Sequence, residues 1–153
     1  MDLINYDFES AMEQGFKTLF NTAGIDLHIA DDVDDDLPDE NVRLDLSVGG
    51  VNSNEHLKDS TIYDNYSGAL EIEIQTPRVS DDQVPLAVGF TSRHTELVAT
   101  ARKAIEEIDA AVLATNWPGA LSPTKIKPTG TERDNDAEHR VTKLSYDLQF
   151  RIT

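Results

Sequence analysis

The residues able to do chemistry are four histidines and a large excess of carboxylates. His28, His56, His94 and His139 are scattered, and none has the i,i+4 histidine and intervening glutamate of a zinc hydrolase helix. There is no cysteine, which excludes disulfides, thiolate metal sites and a thiol nucleophile. The stretch DDVDDDLPDE at 31–40 holds seven acids in ten residues and invites comparison with a calcium loop. Asp32, Asp34 and Asp36 satisfy the first three ligand positions, but Leu37 stands where the glycine belongs and Arg43 where the closing glutamate belongs. The stretch reads better as a solvated acidic loop, with at most a loose divalent site. No Gly-x-Ser-x-Gly elbow, Walker loop or dinucleotide glycine fingerprint occurs. Carboxylates are so abundant that no acid/base pair stands out. The expectation is a protein that is not an enzyme, with no cofactor and no resident metal.

Charge narrows the class further. Twenty-nine acids against 13 basic residues give a net charge of −16. Such a surface repels phosphate, so nucleic-acid binding through backbone neutralisation is not expected. The acidity fits solubility, salty surroundings, or a surface that must sit near DNA without sticking to it. The opening MDLINYDF lacks a positive start and an apolar run, and no stretch approaches the length of a membrane span. The expectation is synthesis in the cytoplasm and no membrane association.

The elements that must position any site follow from periodicity. Phe8, Met12, Phe16, Leu19 and Phe20 form one stripe of a helix over Asp7–Thr22, capped by Asn5 or Asp7 and ended by Gly24. Val42, Leu44, Leu46 and Val48 alternate with polar residues as a strand that Gly49-Gly50 should stop. Leu70, Ile72 and Ile74 mark a second strand, closed by Pro77 and paired antiparallel with the first. Thr91 or Ser92 caps a helix carrying Leu97, Ala101, Ile105, Ile108 and Val112, which Asn116-Trp117-Pro118-Gly119 ends. A short strand from Lys125 and a charged loop precede the longest alternation, Leu144, Tyr146, Leu148, Phe150 and Ile152. The resulting order is αββαββ in one domain spanning 1–153: a two-layer α+β fold whose four mostly antiparallel strands carry the helices on one face. An RNA-binding sheet is disfavoured, since the strands lack exposed aromatics for stacking.

Three stretches carry a family resemblance. ERDNDAEHRVTKLSYDLQFRI, a charged Arg-Asp-x-Asp-Ala loop before a long final strand, resembles the end of the lambda-type tail terminator proteins of siphophages. YDNYSGALEIEIQTP resembles that family's middle strand, and ELVATARKAIEEIDA stands where its main helix does. The resemblance covers about 63–153, and more weakly the first helix. The acidic insert at 31–40 and the loop at 49–64 depart from it by their length.

The resemblance implies a virion protein of the tail or neck, made in the host cytoplasm. Its copies would form a hexameric ring that caps the tail tube, stops elongation and meets the head-tail connector. Such a ring is head-to-tail, so two different surfaces of one subunit must be complementary. Glu132, Arg133, Asp134, Asp136 and Arg151 are the expected contacts with subunits or partners. Glu71 and Glu73 are expected to face the channel, where DNA passes without specific binding. Two other classes stay open: a different neck, connector or tube component of a tailed virus, and a small acidic module that mimics DNA.

Overall fold

The computed structural model describes residues 8–29, 37–51, 65–78, 92–111 and 121–152. The first helix, α1 (Phe8–Thr22), buries Met12, Phe16 and Phe20 completely, as its apolar stripe requires. Gly24 ends it at φ +84°, the left-handed conformation that costs glycine nothing. The Gly24 N–H donates to Asn21 C=O and the Ile25 N–H to Phe20 C=O, the paired bonds of a Schellman cap. Ile25 and Phe20 join the same apolar cluster, so this stop also aims the chain back at the core.

That turn leads into an element too short for its alternation to mark it in the sequence. Strand β1 (Leu27–Ile29) runs parallel to β2 (Asn41–Val51) at one edge of the sheet. The sheet is therefore five-stranded and mixed, in the order β1-β2-β3-β5-β4, and the element order is αβββαββ rather than αββαββ. Strand β2 runs through Gly49-Gly50 to Val51 instead of stopping there. It pairs antiparallel with β3 (Asn65–Pro77), which begins at Asn65, before the alternation from Leu70 that marked it in the sequence. Ladder bonds extend a strand wherever a partner is in register, even where glycine offers no side chain to pack.

Helix α2 (Arg93–Ala111) is capped by Ser92, whose Oγ accepts the Thr95 N–H at 3.1 Å. It buries Leu97, Val98, Ala101, Ala104 and Ile105. The last two strands are β4 (Leu121–Arg133) and β5 (His139–Ile152), and β4 is much longer than the short strand expected. It carries Pro123 and Pro128, with register shifts beside both. A proline offers no N–H to a ladder and is tolerated at an edge or a bulge; β4 has both, since it pairs only with β5.

Both helices share one apolar cluster with the same face of the sheet. Across that face the rungs are Leu44, Ile72 and Leu144, then Leu46, Leu70 and Tyr146, then Leu148 and Ile126. Burial and the nearby Glu106 push the Tyr146 phenol above its ordinary value, while Arg102 opposes them. The side chains of Ile108, Phe150 and Ile152, and residues 1–7 and 112–120 with the expected caps and Trp117, lie outside the described residues.

Candidate functional site: two charged surfaces on one sheet

The open face of the sheet carries the outward residues of the same strands. One rung across it reads Arg43, Glu73, Lys143 and Glu132, with charges alternating in sign. Arg43 Nη2 donates to Glu73 Oε1 at 2.8 Å. The next rung brings Asp45 beside Glu71 and Ser145, and a further one sets Asp147 opposite Lys127. Glu71 and Glu73, expected to face a channel, thus share this open face. Glu73 is half-buried and held by Arg43, whereas Glu71 stands next to another acid. A shallow depression on this face is lined by Ser47, Ser67, Ala69, Lys127, Asp147 and Gln149 among others.

The covered face changes character at one end. Following the inward positions of β5 backward from Leu144, the apolar run gives way to Thr142 and then Arg140. The opposing inward positions are Ile74 and Thr76 on β3, and Arg133 on β4. His94, in the first turn of α2, closes the core here. Its ring meets Thr76 Oγ1 at 2.9 Å through Nδ1 and Thr142 Oγ1 at 2.7 Å through Nε2, and all three residues are buried. A hydroxyl can donate or accept, so the two threonines satisfy both ring nitrogens of a neutral imidazole.

Above that floor lies a cavity of about 450 Å³. Arg78, Arg102, Arg133 and Arg140 line it, with Thr95, Thr131, Asn135 and the floor residues. Among the described residues no carboxylate lines it. Arg102 Nη2 donates to Thr131 Oγ1 at 3.2 Å, which links helix to strand without neutralising the charge. Elsewhere the chain pairs its arginines closely. Arg93 grips Glu40 through Nε at 2.8 Å and Nη2 at 3.2 Å, and Glu96 through Nη1 at 2.8 Å. The Glu40 hydrogen bond is the main reason the Arg93 guanidinium is held above its ordinary value, against the opposing effect of burial.

The turn between β4 and β5 separates the residues expected to make contacts. Glu132 lies on the open face opposite Lys143, while its neighbour Arg133 enters the cavity, because successive strand residues point to opposite faces. Asp136 is used by its own turn: Oδ1 accepts the Glu138 N–H at 2.8 Å and the His139 N–H at 2.7 Å. Those two bonds lower the Asp136 carboxyl below its ordinary value. Asn135 Oδ1 accepts the Val141 N–H, and the Asp134 N–H donates to Val141 C=O. The Asp134 side chain is exposed, and that of Arg151 lies outside the described residues. Arg78, Arg102 and Arg140 were not singled out as a site from the sequence. The available signal was parity: Arg140, Thr142 and Leu144 fall on one face of β5.

Among the described residues no group of three or more His, Asp or Glu is placed to hold a metal ion. Among them, too, no helix is long and apolar enough to cross a membrane. No family model and no curated protein matches the chain. Among solved structures, one that carries no functional description matches with a TM-score of 0.52 and 15% identity, over 95% of this chain and 95% of its own. At that identity the likeness is one of fold.

Proposed function

We propose that this chain is a tail terminator of a tailed virus: a ring-forming subunit that caps the tail tube, stops its growth and meets the head-tail connector. The observation that carries the reading is the β4–β5 hairpin. Its sequence holds the densest resemblance to the tail terminator family, and residues 127–138 form a continuous exposed arm. A recognition protein needs such an arm more than it needs an active site, and a ring needs complementary surfaces on one subunit.

The edges of the sheet favour side-chain contacts over strand addition. Strand β1 has three residues, and β4 is interrupted by Pro123, Pro128 and two register shifts. Short and bulged edges resist pairing with a neighbouring sheet. The subunit contact is then made by charged side chains around the hairpin, with Arg133 and Asp134 among them. The open face with Glu71 and Asp45 supplies acids for a channel wall that repels DNA phosphates.

The test is the assembly itself. Purified chain at high concentration should reach six times 17.0 kDa by mass measurement and show six-fold rings in electron micrographs. In virions it should occupy one axial level between tube and connector. A chain that stays monomeric at every concentration and binds a basic partner in a salt-sensitive way would replace this reading with the DNA-mimic one.

A further inference from the structure

Three buried polar side chains, Thr76, His94 and Thr142, are joined by hydrogen bonds that cross three elements. Thr76 and Thr142 are diagonal neighbours on the covered face: Thr76 stands opposite Arg140, and Thr142 opposite Ile74. His94 bridges that diagonal from the first turn of α2 and so ties the helix to β3 and β5. The tie suits an uncharged ring. A neutral imidazole has one donor and one acceptor, and the two hydroxyls answer them. A second proton turns the accepting nitrogen into a donor, and the hydroxyl that donated to it must turn its own proton elsewhere. Thr76 is 0% exposed and Thr142 4%, so bulk water cannot replace the lost acceptor. The ring itself is buried at the positive end of the helix dipole, where burial and the dipole both oppose a cation.

We propose that His94 is an acid-sensitive latch: neutral, it holds the first turn of α2 on β3 and β5; protonated, it lets that turn go. The device lies within one subunit and does not depend on ring formation. The charged groups facing it from the described elements are Arg102 on α2, Arg133 on β4, Arg140 on β5 and Arg78 just after β3. Arginine stays charged throughout the range in which histidine titrates, so these groups add no pH dependence there. The acid nearest to His94 along α2, Glu96, is bound to Arg93 at 2.8 Å. The opened form takes up a proton that the closed form refuses. The latch is therefore at full strength above the ordinary imidazole value of about 6.5 and weakens as pH falls below it.

Two measurements on the full chain test the latch between about pH 7.5 and about pH 5. The first follows the His94 ring by NMR beside a blocked histidine peptide. The peptide becomes charged across this range, and the His94 ring should keep its neutral signature for as long as the turn is closed. The second follows exchange of the Glu96 amide, which donates to Ser92 C=O in that first turn. Corrected for intrinsic rates, exchange should quicken about tenfold per pH unit below about 6.5, because opening takes up one proton. His94→Gln keeps a donor and an acceptor without a titrating group, and should remove that slope. His139→Gln, on the opposite face of β5, should leave it. A His94 ring that becomes charged together with the peptide while the Glu96 amide stays protected would overturn the latch. So would a slope that survives His94→Gln or disappears in His139→Gln. If His94→Gln does not fold, the wild-type resonances decide alone.

Discussion

The two faces of the sheet handle the same charges in opposite ways, although the same strands supply both. On the open face Arg43 is set beside Glu73, and Lys143 is flanked by Glu73 and Glu132, so cations and acids alternate across four strands. At the polar end of the covered face, Arg78, Arg102, Arg133 and Arg140 gather with no acid among the described lining residues. Glu132 and Arg133 are neighbours in sequence yet belong to different surfaces. The difference sets cations placed beside carboxylates on one face against arginines placed beside one another on the other. Removing an arginine held in a close ion pair, such as Arg93, should weaken the protein; removing Arg102 should leave it nearly as stable as before.

The largest effect should come from the layer beneath both surfaces. Leu144→Ala opens a cavity at a position 1% exposed and should cost about 3–5 kcal/mol in denaturant titration. Lys143→Ala, one residue away on the open face, should stay within about 0.5 kcal/mol. Equal effects would mean that the faces are misassigned. Next is the cavity floor. His94→Leu leaves the Thr76 and Thr142 hydroxyls buried without the ring that joins them, at a cost of about 2–3 kcal/mol. A variant as stable as wild type would show that the floor carries no structural load.

The comparison itself is tested on arginines. Arg93→Lys gives up the fork that holds Glu40 and Glu96 together and should cost about 1 kcal/mol, less in high salt. Arg102→Ala should lie within about 0.5 kcal/mol of wild type, or slightly above it as repulsion in the cavity is relieved. If Arg102→Ala proves the more damaging, the cavity arginines are structural and the contrast fails.

The smallest effect is local and depends on pH. Asp136 has its carboxyl lowered by two backbone N–H donors, so its stabilisation of the turn is present above the ordinary carboxylate value. It is lost as pH falls through the depressed folded value. Exchange of the Glu138 and His139 amides, corrected for intrinsic rates, should quicken on acidification in that range and not above it. Asp136→Asn, which keeps an acceptor without the charge, should abolish that pH dependence.

Where a side chain's role follows from its neighbours in the chain, the sequence was sufficient. The stripe of α1, its glycine stop, the Ser92 cap and the alternation of β3 and β5 all depend on contacts a few residues apart, and the structure has them. Strand β1 was legible only in retrospect: Ile25, Leu27 and Ile29 alternate, but three residues of strand give too little period to weigh against the acidic run that follows. The length of β4 was hidden by prolines that only an edge position tolerates. The order of helices and of the four longer strands could be read, but not that β3 and β5 would meet at the centre with a parallel strand added outside β2.

The charged surfaces divide along the same line. Sequence alone determined that the chain is acidic, that its strands present a charged side, and that Arg133 sits in a cluster of acids. Only the tertiary structure decided that Arg133 turns away from those acids. Strand parity sends Glu132 and Arg133 to opposite faces, and the fold then carries Arg133 to Arg78 and Arg102, which stand far from it in the chain. Electrostatic partners are set by distance in space, because the attraction weakens as charges separate and salt screens it beyond about 10 Å, and a one-dimensional pattern fixes that distance only for near neighbours.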